Sequence, residues 1–318
     1  MTNLTDPIFS NEDAARAHFE AIRWPNGPYC PHCGNADEEE IVKLTSKAHR
    51  SGLYQCRECR EQFTVTVGSV MERSHIPLYK WALGFYLMAS SKKGVSAHQL
   101  MRTLGIGSYR TAWFMAHRIR EAMIEEAGDT GPMGGNGKIV EADETYHGKR
   151  ETPRKRNKYS PPPTRGGKQG GAEKRIIVGL VERGGRARTF HVQQATAETV
   201  RAILVKNVSR KSVLHTDESN IYTQTGKEFA GHATVIHSKN EYVRGDVHTN
   251  TIDSIWSVFK RGMKGVYQHC GEAHLHRYLA EFDFRYNRRA ALKISDTERA
   301  IDAIKGAAGR RLMYHQAG

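Results

Sequence analysis

Apolar positions along this chain change period several times, and each change marks an element. Ser10-Asn11-Glu12-Asp13 offers capping side chains ahead of Ala14 to Ile22, which predicts a helix. From Pro77 to Ser91, Leu78, Trp81, Ala82, Phe85, Tyr86 and Ala89 return at helical spacing and predict a second helix with a core-facing stripe. Two shorter helices follow, Val95 to Leu104 and Ser108 to Phe114, with Ser96 and Ser108 as N-caps and Gly105-Ile106-Gly107 between them. Past a glycine-rich stretch at 128–137 the pattern becomes strands alternating with helices. Strands are predicted over Lys138 to Ala142, Arg175 to Val181, Ala187 to Val192, Ser212 to Thr216 and Ala233 to His237. Helices are predicted over Thr196 to Val208, Thr251 to Met263 and His274 to Arg289.

This order is that of an RNase H-like core, so the expected fold class is α/β: a mixed five-stranded sheet with helices, preceded by a small ribbon and a helical unit. The expected domains are 1–72, an N-terminal helix and ribbon; 73–128, the helical region; and 129–318, the sheet domain with an insertion at 148–175. The pair of short helices with a Gly-containing turn suggests a helix-turn-helix, whose second helix would enter the major groove. Tyr109, Arg110, Arg118 and Arg120 lie on that helix. A plain helical hairpin is the alternative.

Four of the five cysteines form two CxxC pairs, Cys30/Cys33 and Cys56/Cys59. Four thiolates in two such knuckles make a closed tetrahedral zinc site, which stabilises the fold and leaves no position open for chemistry. A redox or unliganded pair is the other reading of the motif. Metal-binding cysteines suit a reducing compartment. Together with the lack of a signal peptide at Met1-Thr2-Asn3-Leu4-Thr5-Asp6 and of a long apolar run, they predict a cytoplasmic, nucleoid-associated protein with no membrane span.

Charge then narrows the partner. The formal net charge is +14, which favours a polyanion. Between Gly148 and Arg175 ten lysines or arginines face two glutamates, around Pro161-Pro162-Pro163. Such a segment cannot bury a core. Arg154, Lys155 and Arg156 would clamp DNA electrostatically; a merely solvated loop is the bland alternative.

Three aspartates carry the candidate chemistry. Asp143 and Asp217 end apolar runs that read as strands, and Asp253 lies near the start of an amphipathic helix. Carboxylates so placed can converge on divalent metals that stabilise the attacking and leaving oxygens of an in-line phosphoryl displacement. Each has acidic rivals: Glu141 and Glu144 beside Asp143, and Glu218 beside Asp217. Lys260, seven residues past Asp253, returns to nearly the same helix face and could hold a phosphate. Asn250 could assist through its amide oxygen, and Arg285 and Arg288 near the end of the last helix could grip a DNA backbone.

Several stretches together resemble the insertion-sequence transposases of the ISXO-like group, in the DDE/DDD superfamily. They are Glu141-Ala142-Asp143-Glu144-Thr145-Tyr146, His215-Thr216-Asp217, and His248-Thr249-Asn250-Thr251-Ile252-Asp253-Ser254-Ile255-Trp256 running into Lys260-Arg261-Gly262. Tyr278-Leu279 and Phe284-Arg285-Tyr286-Asn287-Arg288 extend the similarity. The resemblance implies Mg²⁺ (or Mn²⁺) held by Asp143, Asp217 and Asp253, with Lys260 as the lysine after the third acid and Arg261 among the DNA contacts. It implies a bacterial enzyme that cleaves element ends and transfers strands into target DNA. The partner would be double-stranded DNA, at terminal inverted repeats and target, bound by at least a dimer. The third acid of that superfamily is usually glutamate, in some groups asparagine, and is Asp253 here. A catalytically decayed DNA-binding regulator and a nuclease without strand transfer are the competing readings.

Overall fold

The computed structural model describes residues 4–125, 131–151 and 174–312. The chain divides into two compact units, Met1–Ile124 with Arg288–Gly318, and Glu125–Asn287.

The first unit opens with helix α1 (Glu12–Arg23), whose N-cap Asn11 accepts the Ala14 amide at 2.9 Å. A three-stranded antiparallel sheet follows: β1 (Ile41–Leu44), β2 (Leu53–Cys56) and β3 (Gln62–Phe63). Trp24, Tyr54 and Phe63 pack ring against ring on it, with centroids 5.2–5.9 Å apart. Helix α2 (Leu78–Ser90) buries Leu78, Trp81, Ala82, Phe85 and Ala89 of the expected stripe, with Met88 beside them, and leaves Tyr86 half-buried. Helices α3 (Ala97–Thr103) and α4 (Tyr109–Ala122) are joined through Gly105, whose φ of +58° suits glycine. Ser96 caps α3 by accepting the Gln99 amide, whereas Ser108 makes no side-chain cap bond.

The second unit is a five-stranded mixed sheet: β4 (Ile139–Lys149), β5 (Lys174–Glu182), β6 (Ala187–Val192), β7 (Val213–Thr216) and β8 (Gly231–Thr234), in the order β6-β5-β4-β7-β8. The first three are antiparallel neighbours, and β4, β7 and β8 run parallel. Helix α5 (Ala197–Asn207) lies between β6 and β7, and the single turn α6 (Thr223–Gly226) between β7 and β8. The hairpin β9 (Val243–Arg244) and β10 (Val247–His248) leads into α7 (Asn250–Gly262), and α8 (Leu275–Asn287) closes the unit.

Period-two alternation divides the sheet's two faces. Val140, Ala142, Val178 and Leu180 pack with Val200 and Leu204 of α5. Ile177 and Val181 pack on the other face with Ile252, Trp256 and Phe259 of α7 and Phe282 of α8. Side chains at 141 and 143 therefore share the α7 face. Two expectations are corrected. The first strand does not end at Ala142 but runs on to Lys149, because β5 pairs with it as far as Lys174, so Asp143 sits mid-strand. The last strand lies at Gly231–Thr234, and His237–Lys239 form a 3₁₀ turn instead.

After α8 the chain rejoins the first unit. Helix α9 (Asp296–Lys305) starts with a capping box of Ser295 and Glu298, and its Arg299 donates to the Ala89 carbonyl at 3.1 Å. Beyond it, the Val70 amide donates to Ala307 and the Gly309 amide to Gly68. The chain from Arg288 onward is thus part of the first compact unit.

Candidate active site and metal centre

Parallel register sets the first two acids side by side. Glu141 of β4 pairs with His215 of β7, and two residues further each chain carries an aspartate, Asp143 and Asp217. Neighbouring strands lie about 4.8 Å apart. Here β7 stops at Thr216 while β4 continues, so Asp217 turns out of the sheet and accepts the Ser219 amide at 3.0 Å. Helix α7 lies along β4: Glu141 meets the amides of Thr251 and Ile252, Asp143 accepts from Trp256 Nε1 at 2.8 Å, and the rings of His147 and Phe259 touch at 5.3 Å. That alignment carries Asp253, in the helix's first turn, to the same end of the sheet as Asp143 and Asp217.

The field at this point is strongly negative. Burial pushes Asp143 up to about 7, and the charges of Glu144, Asp217 and Asp253 add to the rise against the Trp256 hydrogen bond. Asp217 is raised as well, first by burial and then by Glu218 and Asp253, although the Ser219 amide and His237 oppose it. All three sequence-predicted aspartates therefore share one electrostatic environment. Carboxylate oxygens are hard donors suited to Mg²⁺ or Mn²⁺, and an excess of negative potential is what a divalent cation would relieve.

Each acidic rival is engaged elsewhere. Glu141 is fully buried, with both oxygens taken by Arg183 and the start of α7. Glu144 points to the α5 face, accepts from the buried Tyr222 hydroxyl at 2.7 Å, and is raised by burial. Glu218 accepts the Ser238 and His237 amides at 2.9 and 2.8 Å, and these hold its carboxyl down to about 2. In the sequence, position at a strand end favours Asp143 and Asp217 over Glu141; in the fold it is their partners that separate the acids. Trp256 was legible as a core residue, but its bond to Asp143 was not.

Lys260 is exposed two turns beyond Asp253, and its charge reaches His147 on β4. Arg261 is exposed, its Nε donating to the Ser257 carbonyl at 3.1 Å. Arg285 does not face solvent as expected of a backbone contact: it is buried in an ion pair with Glu281. Arg288 belongs to the first unit and pairs with Asp302 at 2.9 Å. Arg154, Lys155 and Arg156 lie outside the described residues.

The cysteines behave as the spacing predicts. Cys30 Sγ lies 3.6 Å from Cys59 Sγ, and Cys33 Sγ 3.7 Å from Cys56 Sγ. Tetrahedral Zn–S bonds of about 2.3 Å require sulfurs about 3.8 Å apart, so the set fits structural zinc. Among the described residues these four are the one group of three or more His, Cys, Asp or Glu whose ligand atoms all lie within 4.8 Å of one another; the three aspartates stand further apart.

On α4, Tyr109 is exposed and packs on His98 at 4.3 Å. Arg110 and Arg118 line a hollow of about 370 Å³ with Arg73 and His75, and its lining contains no acid. Arg118 also donates to the Glu72 carbonyl at 3.0 Å. Arg120, expected on the same reading face, is instead buried. Among the described residues no helix is long and apolar enough to cross a membrane.

Residues 134–287 match the family of the ISXO2-like transposase domain, and residues 10–62 match the transposase zinc-ribbon domain. The chain belongs to the ISXO2-like transposases. It is also 28% identical, over 286 residues, to a protein of Halobacterium salinarum described as an uncharacterized protein in transposable element ISH50. That similarity covers 87% of this chain and 91% of the relative. The transposase-domain match ends at Asn287, the same residue at which the second compact unit ends. Family membership makes the protein a transposase with a zinc-ribbon module, an assignment that the cysteine geometry supports.

Proposed function

We propose that this chain is a DNA transposase in which Asp143, Asp217 and Asp253 hold catalytic divalent metal on an RNase H-like sheet. The observation that carries the reading is the partitioning of the acids. Glu141 and Glu218 are tied up by backbone amides and Glu144 by the Tyr222 hydroxyl, whereas Asp143, Asp217 and Asp253, which accept from Trp256, Ser219 and Thr249, lie within one another's charge. Strand order and the one-face placement of 141 and 143 support the RNase H-like assignment.

Mg²⁺ or Mn²⁺ held there by the three aspartates would lower the pKa of a water or DNA 3′-hydroxyl nucleophile and offset charge on the phosphoryl oxygens. The chain's own contribution is positional. Trp256 Nε1 fixes one oxygen of Asp143, leaving the other for the site. Lys260 would hold a phosphate further along α7. Helices α3 and α4 would act as a helix-turn-helix, Tyr109 and Arg110 meeting duplex DNA and the arginine-lined hollow taking a backbone phosphate. The zinc ribbon would complete recognition of terminal repeats. Cutting two ends and joining them to a target calls for at least a dimer on DNA.

An end-cleavage and strand-transfer assay in Mg²⁺, with a library of candidate ends, tests the reading. A transposase cuts and joins, a nuclease cuts without joining, and a regulator binds without cutting. Asp217→Asn is expected to abolish cleavage and leave DNA binding intact; retained cleavage overturns the assignment.

A further inference from the structure

The helix that carries Asp253 is not capped by its own N-cap residue. Thr249 makes no side-chain cap bond to α7. The first amides of the helix instead reach across to the sheet: Thr251 N and Ile252 N donate to Glu141 Oε2 at 2.9 and 3.0 Å, and Thr251 Oγ1 donates to Glu141 Oε1 at 2.9 Å. Amides at a helix N-terminus lack intrahelical acceptors and favour an anion, so a carboxylate from another element can dock the helix.

That carboxylate is fully buried; Arg183 Nε donates to Glu141 Oε1 at 2.7 Å, and His248 Nδ1 lies 3.4 Å from the same oxygen. The rest of the guanidinium binds the segment entering α7. Nη1 donates to the carbonyl and Oδ1 of Asp246 at 2.8 and 3.0 Å, and Nη2 to the His248 carbonyl at 2.9 Å. Nη2 also faces Nδ1 of His248 and of His215, at 2.9 and 3.1 Å. Guanidinium has only donors, so either ring nitrogen can pair with Nη2 only in the tautomer that leaves it unprotonated. One arginine in the β5–β6 turn thus ties together β4, β7 and the β9–β10 hairpin that leads into α7.

We infer that Glu141 and Arg183 form a positioning clasp for the reaction: they set the height and rotation of α7 so that Asp253 faces Asp143 and Asp217, and bind no metal themselves. Two contacts fix a helix where one would let it pivot, and here they are Glu141 at its first turn and Asp143 on Trp256. Aspartate is a short ligand, so a helix displaced even slightly would carry Asp253 out of reach. The inference rests on the metal site proposed above.

The test is Mn²⁺ titration of the full-length chain, followed by electron paramagnetic resonance of the free ion, with cleavage as a second readout. Glu141→Gln keeps the shape but turns an accepting oxygen into a donor facing other donors. Its Mn²⁺ affinity is expected to fall roughly ten-fold or more. Duplex affinity should stay within about two-fold of the unmodified protein, because the change touches no phosphate contact. Folded protein with unchanged Mn²⁺ affinity overturns the clasp. If Glu141→Gln does not fold, Arg183→Lys is read the same way: it keeps the charge but loses the fork that spans β4, β7 and the hairpin, and weaker Mn²⁺ binding is again expected. Failure of the unmodified chain to bind Mn²⁺ or to cut DNA would overturn the metal-site reading itself, a result distinct from clasp variants that bind Mn²⁺ normally.

Discussion

Trp256 Nε1 donates to Asp143 Oδ2 at 2.8 Å, so a core residue of α7 also fixes the orientation of the central carboxylate of the sheet. Its ring is buried against the same strand pair.

Replacing that donor separates the two roles. Trp256→Phe keeps an aromatic ring but leaves a mostly buried carboxylate without its hydrogen bond, which should cost about 1–3 kcal/mol. The Asp143 pKa should rise further above about 7, since the lost bond was one that lowered it. Urea denaturation and carbon-detected titration of the Asp143 carboxyl check both; an unshifted titration contradicts the contact.

Metal-free protein should lose stability as pH rises from about 4 towards neutrality. Asp143 and Asp283 are both held up at about 7, mainly by burial, whereas an unfolded aspartate titrates near its ordinary value of 3.8. The folded state then binds protons more tightly, so stability is greatest below about pH 4 as far as these groups decide it, falls between about 4 and 7, and stays reduced above. Each contributes at most on the order of 4 kcal/mol. Calorimetry should show Asp143→Asn flattening part of this slope, and added Mg²⁺ stabilising the unmodified chain most at high pH.

Gly179 makes room for the tryptophan. It pairs with Asp143 across the β4–β5 ladder, and a Cβ built there would lie 2.5 Å from Trp256 Cζ2 and 3.1 Å from Ile252 Cδ1. Gly179→Ala is therefore expected to destabilise by about 1–3 kcal/mol and to reduce cleavage more than DNA binding, because the ring and helix must lift off the sheet. Chemical denaturation and the end-cleavage assay measure the two effects.

Two arginines the sequence treats alike should behave differently. Arg110→Ala on the exposed start of α4 should weaken duplex binding and reduce the salt slope by about one. Arg285→Ala should leave that slope unchanged and destabilise the fold by about 3–5 kcal/mol, since Glu281 would remain buried without its cation. Fluorescence anisotropy against salt, paired with thermal melts, checks the contrast.

The zinc knuckles predict their own failure. Cys56→Ser should lower zinc to less than one per chain and unfold the β1–β3 ribbon, with duplex affinity falling and the secondary structure of the sheet unit retained. Metal analysis by mass spectrometry and circular dichroism provide the readouts.

Elements with strong periodicity were readable from the chain. The α2 stripe, the capped start of α1 and the Ser96 cap of α3 all have local causes: spacing in the first and side-chain oxygens in the others. The extra half of β4 was not readable, because Asp143, Glu144 and His147 are poor strand formers held there by pairing with β5. Nor could the chain tell Arg285 from Arg110, since whether an arginine meets solvent or a buried glutamate depends on tertiary packing. The site was legible as a set of acids; Glu141 and Arg183 were not, because their meaning lies in partners more than forty residues away.

The return of α9 to the N-terminal unit has a practical consequence for engineering. A stop codon after Asn287 would spare every strand and acid of the sheet domain, yet remove the capping-box helix and the stretch that hydrogen-bonds to Gly68 and Val70. Truncations that reach α9 would therefore injure the ribbon-bearing module, and a tail-deleted protein that fails to bind DNA says nothing against the proposed chemistry of the sheet domain.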